Sequence, residues 1–230
     1  MAVDDKKNRE LLVNTLSEKP LVKRLAYKNT LEAFAVLKNV LTEVVEEYNM
    51  LLKNDIQLEY NEKGKCEAEL KLGDDSLLFS MYNHVFEFSR EHHIWKNSYV
   101  QKTEWSTFCG IINVYNFLSD SLKYRRIEDL GYLIARIFIN KDMHYFVEGK
   151  RQLGFLYNDF ANAVVNKSEL KKIVFSAILY SLEFDLLVPP YDNVKIISVA
   201  QIFEKINDSR IQTGKRLGFT FNSDDVLEEK

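Results

Sequence analysis

Glycine, proline and cysteine are all scarce in this chain. Among 230 residues there are eight glycines, three prolines and two cysteines. With so few glycines and prolines, no flexible or proline-rich linker divides the chain into two halves. The two cysteines, Cys66 and Cys109, do not form a Cys-x-x-Cys motif. Isolated cysteines of this kind are typical of a reducing compartment, where they serve as small apolar residues.

Long hydrophobic runs and an excess of basic charge are also missing. No stretch of roughly 18 apolar residues occurs, and the charged amino terminus lacks the apolar core of a signal peptide. The 31 basic side chains are outnumbered by 34 acidic ones, whereas a dedicated nucleic-acid binder needs a net basic face. We therefore expect a soluble, cytoplasmic protein that contacts neither membranes nor extended nucleic acid.

Apolar side chains are plentiful, at 46% of the chain, and supply a full core without disulfides or metals. We expect a single α+β domain over residues 28–221. A helical extension, residues 1–27, precedes it and is interrupted at Pro20. An acidic disordered tail, residues 222–230, follows it.

Two segments show a helical period. Residues 28–54 carry one apolar stripe, which must pack on the chain's own sheet, on another helix or on a second copy, and the own sheet is the simplest cover. The stripe consists of Phe34, Leu37, Leu41, Val44, Tyr48 and Leu51. Residues 103–122 are apolar around much of the helical circumference, which predicts a buried central helix.

Alternating patterns predict the strands of an antiparallel sheet. One hairpin spans residues 56–72 with Gly64 in its loop, and one long strand or two short ones follow over residues 76–89. A second hairpin spans residues 131–149 and turns at Lys141-Asp142. The predicted fold class is therefore α+β: an antiparallel sheet built from two strand clusters flanks the buried central helix, and further helices pack on it.

The C-terminal third adds further elements. Ser168 is the expected N-cap of a helix over residues 169–185. Ser198 and Gln201 match a capping box that opens another helix. The apolar face of that helix consists of Val199, Ile202, Phe203 and Ile206. A last strand is expected at residues 217–221.

This order of elements resembles that of ligand- or partner-sensing domains of the PAS, GAF and roadblock type. No residue motif of those families is present. The catalytic motifs GxGxxG, GxxxxGK[ST], HExxH and GxSxG are absent as well, together with the protein-kinase signature. We therefore expect no cofactor.

Three residues resemble the metal-binding core of the restriction-endonuclease-like nucleases. Asp55 opens one strand, and Glu69 and Lys71 share a face of the next strand as a Glu-x-Lys motif. The resemblance implies that the carboxylates would hold Mg²⁺ and that the lysine would stabilise developing charge. It covers only these three residues, and the antiparallel strand expected after them departs from that fold. The solvated face of a half-exposed hairpin explains the same pattern.

A cationic and aromatic patch is the second candidate site. Residues 121–151 carry seven basic and four acidic side chains. The candidate anion-binding residues among them are Arg125, Arg126, Lys150 and Arg151. Such cations bind phosphate, and nearby aromatic rings stack on a base, so a small anionic or nucleotide ligand is one hypothesis. Cations at helix C-termini and strand ends explain the same charges.

The stretch 87–99 holds two adjacent histidines together with Trp95 and Tyr99. Adjacent side chains on an extended segment point to opposite sides, so His92 and His93 are poorly placed to bind one metal ion, and we expect no metal site. Trp95 and Tyr99 are candidates for the lip of a ligand pocket or for a contact with a partner.

The leading hypothesis from the sequence is a non-enzymatic binding or protein-interaction domain. Its contact surface would be the apolar stripe on residues 28–54 or a sheet edge, and its partner would be another protein or a second copy of the chain. The alternatives are a sensor of a small anionic or nucleotide ligand, and a metal-dependent nuclease or phosphodiesterase.

Overall fold

Seven strands and six α-helices make up the described part of the chain. The computed structural model describes residues 2–52, 56–127, 129–183, 191–196 and 198–200. The helices are α1 (Ala2–Leu51), α2 (Ser98–Lys102), α3 (Ser119–Lys123), α4 (Gln152–Phe155), α5 (Lys167–Leu182) and α6 (Tyr191–Val194), with one 3₁₀ helix (His93–Lys96). The strands are β1 (Leu58–Glu62), β2 (Glu67–Leu72), β3 (Asp75–Met81), β4 (Phe86–Glu87), β5 (Phe108–Leu118), β6 (Tyr132–Asn140) and β7 (Tyr145–Gly149).

The strands form one antiparallel sheet in the order β1-β2-β3-β5-β6-β7, and the short β4 pairs with β5 outside this path. Both predicted hairpins are present, as the pairs β1–β2 and β6–β7. Because neighbours in the sheet are also neighbours along the chain, apart from β4, the sheet is a meander. The α+β fold class and the antiparallel sheet are confirmed.

The predicted central helix over residues 103–122 is wrong. Most of this segment is β5, which pairs with β3 on one side and with β6 on the other. A strand covered on both faces is apolar at nearly every position, just as a buried helix is, so periodicity alone does not separate the two. The β-branched and aromatic side chains of the segment favour the strand. The element order that resembled the PAS, GAF and roadblock domains included this helix, and it is not the order found.

The predicted interruption at Pro20 is also wrong, because α1 runs without a break from Ala2 to Leu51. A proline inside a helix removes the hydrogen bond to the carbonyl four residues earlier. That carbonyl belongs to Leu16, and both residues lie on an exposed part of the helix, where water can replace the missing donor.

The expected ends of the domain are only partly within the described residues. The boundary expected between residues 27 and 28 falls inside α1. The last strand, expected at 217–221, and the tail, expected at 222–230, lie outside the described residues. Among the described helices, none combines the length and the apolar content that a membrane crossing requires.

The two faces of the sheet are covered differently. One face packs against α1 and α5 around a largely aliphatic core, and we call it the helix face. The opposite face is covered by the segment 88–107, and we call it the loop face. Its cluster is rich in aromatic residues: Phe88, Trp95, Tyr99, Phe138, Phe146 and Phe160 lie there.

The stripe predicted on residues 28–54 faces the sheet from α1. Phe34, Leu37, Leu41 and Val44 are buried, Tyr48 is half-buried, and Leu51 is exposed. The helix packs tightly on β5 at Gly110, where a Cβ atom would lie 2.1 Å from Oγ1 of Thr30. The chain's own sheet therefore covers most of the stripe, as the simplest interpretation predicted.

The helix predicted over residues 169–185 is present as α5 and begins two residues earlier than expected. Its N-cap is Asn166, whose side-chain oxygen accepts the N–H of Glu169 at 3.0 Å. The predicted cap, Ser168, lies inside the first turn instead. Asparagine and serine are about equally good N-caps, so the local sequence alone did not decide between them.

Candidate functional site

Glu69 and Lys71 of the predicted nuclease motif are held in separate ion pairs. Glu69 lies on β2, is 4% exposed, and pairs with Lys63 at 2.8 Å. Lys71 pairs with Glu59 on β1, also at 2.8 Å. Asp55 lies outside the described residues. The next strand, β3, is antiparallel to β2, which agrees with the departure from the nuclease fold that the sequence predicted.

The predicted cations lie at one end of the sheet. Because β5 and β7 both pair antiparallel with β6, the segments that follow them reach the same end. Arg125 and Arg126 follow α3, and the main-chain N–H of Lys150 donates to β6. Arg151 forms an ion pair with Glu183. None of these cations lines either of the two cavities described below.

Trp95 and Tyr99 cover the loop face of the sheet. The indole N–H of Trp95 donates to the carbonyl of Ser89 at 2.8 Å. The hydroxyl of Tyr99 donates to Asp142 at 2.8 Å and accepts from Asn140 at 3.0 Å. Burial, together with the bond to Asp142, raises the pKa of the Tyr99 hydroxyl, so at neutral pH this group is a structural donor.

His92, His93 and the buried Cys109 also make contacts that stabilise the fold. Nδ1 of His92 accepts the N–H of Ile94 at 3.2 Å, so in the neutral ring the proton lies on Nε2, which donates to Glu148 at 2.7 Å. His93 contacts the His92 ring, with 4.3 Å between the ring centres. Burial raises the pKa of the Cys109 thiol, which removes its nucleophilic form. Within the described ranges, no group of three or more histidine, cysteine or acidic residues could hold a metal ion.

An apolar groove that opens to solvent is lined by residues of α1, α4 and α5 and by the two residues that follow α4. Its volume is about 610 Å³. The apolar part of its lining consists of Val44, Tyr48, Leu156, Tyr157, Phe175, Ile178 and Leu179. Polar side chains form its rim, among them Glu169, Lys171 and Lys172. We call this cavity the helix groove.

The floor of the helix groove includes Phe175 and Leu179 of α5, and Leu182 continues this exposed apolar stripe along the helix beyond the residues that line the groove. Phe175, Leu179 and Leu182 follow one another at spacings of four and three residues and are 44%, 40% and 58% exposed. Leu156, after α4, is 55% exposed. Large apolar side chains gathered on one exposed surface are typical of a contact site for another molecule.

Two ion pairs fix how α5 lies beside α1. The pairs are Lys167 with Glu43 at 2.6 Å and Lys171 with Glu47 at 2.5 Å. Both partners advance by four residues, about one helical turn, so the two helices run parallel. One turn further along α5, the ring of Phe175 contacts that of Tyr48, with 6.4 Å between centres. The bond to Glu47 also raises the pKa of Lys171, so this lysine stays charged and its ion pair persists at neutral pH.

Glu169 places a negative charge on the rim. Its carboxylate accepts the ammonium of Lys172 and the hydroxyl of Tyr145, each at 2.7 Å. These two bonds, with the lysine as the larger cause, lower the pKa of Glu169. The groove therefore combines an apolar floor with fixed charges at its rim. Such a surface can bind an apolar segment by packing and orient it by charge.

Sequence reasoning did not identify the helix groove, although one signal was present. The apolar residues of 169–185 extend around most of the helix, which is wider than one buried face requires. Phe175, Leu179 and Leu182 are the apolar residues that lie outside the buried face. Which of these residues stay exposed depends on the parallel docking of α1, and a single sequence carries no information about that docking.

Comparisons of this chain with family models, with curated proteins and with solved structures give no match. The function is therefore argued from the geometry of the helix groove and of the sheet.

Proposed function

We propose that this protein is a non-enzymatic protein-interaction domain that binds an amphipathic helix of a partner protein in the helix groove. The observation that carries the proposal is the exposed apolar stripe of α5, in which Phe175 and Leu179 line the groove and Leu182 follows them along the helix. Apolar surface left in water is unfavourable by roughly 25 cal/mol per Å². A partner that covers the stripe recovers this free energy.

An α-helix is the occupant that suits these walls. The main-chain groups of α1 and α5 are bonded within the helices, so the groove offers few backbone partners to an extended peptide. An extended peptide would therefore lose hydration of its own main chain without replacement, whereas a helix bonds its main chain internally. The spacing of Phe175, Leu179 and Leu182 also matches ridge-and-groove packing against a second helical stripe.

The charged rim of the groove restricts which partner sequences can bind. Its charges are already paired, Lys171 with Glu47 of α1 and Lys172 with Glu169 within α5, so a partner gains little free energy by contacting any one of them. A partner helix with a mismatched charge beside these pairs would be repelled, which restricts the sequences that bind. We therefore expect affinity from the apolar floor and discrimination from the rim.

The proposal is tested by selecting displayed helical peptides on the full chain and measuring their affinities by calorimetry. We expect the selected peptides to lose at least about tenfold in affinity for the Leu179→Asp variant, because a carboxylate in the apolar floor would have to be desolvated. Ile127→Asp is the matched control, since Ile127 is 90% exposed and lies outside the groove. Peptides that bind Leu179→Asp as tightly as the wild type would place the binding surface elsewhere and contradict the proposal.

A further inference from the structure

The two edges of the sheet differ in how their main-chain groups are satisfied. At the β7 edge, the segment 157–165 covers the strand: the N–H of Tyr145 donates to the carbonyl of Ala163 at 3.1 Å, and that of Val147 donates to Tyr157 at 2.9 Å. The other edge is β1, and in the described part of the chain no further strand pairs with it. An uncovered edge is a template for one more strand.

The outward-facing groups of β1 can be assigned from one side chain. Asn49 bonds both main-chain groups of Leu58: its oxygen accepts the N–H at 2.8 Å, and its amide donates to the carbonyl at 2.9 Å. These groups of Leu58 therefore point away from β2. Because main-chain groups on an antiparallel strand alternate in direction, those of Tyr60 and Glu62 point outward too. Within the described residues, no hydrogen bond reaches the outward groups of Tyr60 and Glu62.

A second cavity lies beside this edge, between α1 and β1, with a volume of about 540 Å³. Leu31, Ala35 and Tyr60 supply the apolar part of its lining. The outer side of β1 thus presents the N–H and carbonyl groups of Tyr60 and Glu62 next to a partly apolar surface. We call this side of Leu58–Glu62 the β1 edge.

We propose that the β1 edge pairs with the β1 edge of a second copy of this chain, so that two sheets join into one across a two-fold axis. A strand that meets its own copy across such an axis pairs antiparallel. With Asn61 on the axis, Tyr60 of each copy lies opposite Glu62 of the other. Each of these two pairs exchanges two main-chain hydrogen bonds. The four bonds use all the outward groups of Tyr60 and Glu62 in both copies.

The neighbouring registers fit the edge less well. With Tyr60 on the axis, Glu62 would lie opposite Leu58, whose outward groups are already bonded to Asn49. With Glu62 on the axis, the two Glu62 carboxylates would lie opposite each other, which is unfavourable. A shift by one residue would set outward groups of one copy against groups that bond β2 in the other. The register centred on Asn61 avoids all three conflicts.

Side-chain charge on the other side of the strand agrees with this register. Continued by one residue past β1, the register places Glu59 opposite Lys63 of the second copy. Within its own copy, Glu59 pairs with Lys71 and Lys63 pairs with Glu69, each at 2.8 Å. The contact therefore joins these ion pairs into a row of alternating charge, and symmetry forms the row twice. On the helix face, the two Tyr60 side chains are diagonal neighbours, a separation that aromatic rings can span. This self-complementarity favours a second copy over an unrelated peptide.

Sedimentation of the full chain over a range of concentrations tests the proposal. We expect the mass to rise from one chain to two and no further, because the segment 157–165 covers the β7 edge. Glu62→Pro removes the outward N–H and with it two of the four bonds, while the β1–β2 bonds stay intact. Its dissociation constant should be at least about tenfold higher than that of Glu62→Ala. Glu62→Ala is the matched control, because it also loses the bond to Lys38 but keeps the N–H.

A disulfide across the axis tests the register without a proline. The two copies of residue 61 form a non-hydrogen-bonded pair, whose Cα atoms lie about 4.5 Å apart, within the range of a disulfide. In a Cys66→Ala background, Asn61→Cys should therefore form a covalent dimer on mild oxidation, seen on a non-reducing gel. Glu59→Cys is the matched control. Its two copies would be offset by four residues, about 14 Å, which a disulfide does not span.

Several results would overturn the inference. A mass of one chain at every concentration up to about 1 mM would mean that the edges do not pair. Equal cross-linking of Asn61→Cys and Glu59→Cys would show random collision instead of this register. A dimer that Glu62→Pro leaves as tight as Glu62→Ala would place the contact elsewhere. Leu179→Asp, in the helix groove, should leave dimerisation unchanged, and a dimer lost in that variant would assign the contact to the groove.

Discussion

The helix face and the loop face of the sheet are stabilised in different ways. On the helix face, α1 and α5 satisfy their own main-chain groups, so their inward side chains can be mainly aliphatic. On the loop face, the segment 88–107 contains only short helical turns, so many main-chain groups need other partners. Side chains supply them: Asn97 accepts the N–H of Tyr99 at 2.9 Å, and His92 accepts that of Ile94.

This difference explains the composition of each cover. A helix that covers a sheet needs only an apolar stripe of the right spacing. An irregular segment that covers a sheet needs apolar side chains that also carry hydrogen-bonding groups. Tryptophan, tyrosine and histidine meet both requirements, and Trp95, Tyr99 and His92 all lie on the loop face. Trp95 and Tyr99, the aromatic residues that suggested a site in the sequence, are therefore explained by the architecture of this cover.

The largest expected difference between the two faces is in the stability lost when one phenylalanine on each face is truncated to alanine. Phe34 is fully buried on the helix face, so Phe34→Ala should destabilise the protein by about 3–5 kcal/mol. Phe88 is only partly buried against Phe138 and Phe146, so Phe88→Ala should cost about half as much. Urea unfolding followed by circular dichroism measures both values. Equal losses would show that the two faces contribute equally to the core.

The close approach of α1 to β5 provides the second prediction. Gly110→Ala should destabilise the protein by about 1–3 kcal/mol, because the added Cβ would lie 2.1 Å from the Thr30 hydroxyl oxygen. Cys109→Ala, at the adjacent position on the loop face, adds no atom and should cost about 1 kcal/mol. Combining Gly110→Ala with Thr30→Ala should cost less than the sum of the single changes, since the clashing oxygen is gone. Strict additivity in urea unfolding would contradict the close contact.

The helix face is also the part that sequence reasoning predicted best, because its signals are local. The stripe from Phe34 to Val44 is a spacing pattern within one helix, and Gly64 and Lys141-Asp142 mark their turns directly. The error at Pro20 has the same origin: the local rule for proline was applied where solvent exposure weakens its cost.

The loop face and the helix groove could not be predicted because their contacts are not local. His92 and Glu148 meet only because β7 lies beside β6, and the groove exists only because α5 docks parallel to α1. The wrong helix over residues 103–122 has the same cause. Because β5 is buried on both faces, its sequence is apolar throughout and does not show the alternation of a strand. Trp95 and Tyr99, chosen as candidate site residues from residue type alone, therefore fell on the cover of the loop face.

Removing the His92 side chain should open the loop face locally and leave the helix face closed. His92→Ala deletes both the cap on Ile94 and the bond to Glu148, which together should cost about 1 kcal/mol. Amides in residues 88–102 should exchange faster, while those of α1 keep their protection. His93→Ala is the matched control, because His93 contacts the His92 ring but makes neither bond. Faster exchange throughout the chain would mean that the loop-face cover is not an independent unit.

The smallest expected effect is a pH dependence confined to the helix face. The bonds from Lys172 and Tyr145 lower the pKa of Glu169 from its ordinary value of 4.5 in the folded protein. A carboxylate with a depressed folded pKa stabilises the fold fully above pH 4.5, and this contribution is lost as the pH falls through the folded pKa. Glu169→Gln keeps an oxygen for the Tyr145 hydroxyl but removes the charge.

The urea midpoint of Glu169→Gln should therefore lie below that of the wild type at pH 6 and approach it below pH 4.5. Tyr145→Phe, which removes one of the two bonds, should reproduce part of this convergence. Because Glu169 lies on α5, away from the loop face, exchange protection on the loop face should be the same in both variants at every pH where they stay folded. A constant difference between the Glu169→Gln and wild-type midpoints across this range would mean that the carboxylate charge adds nothing to the docking of α5.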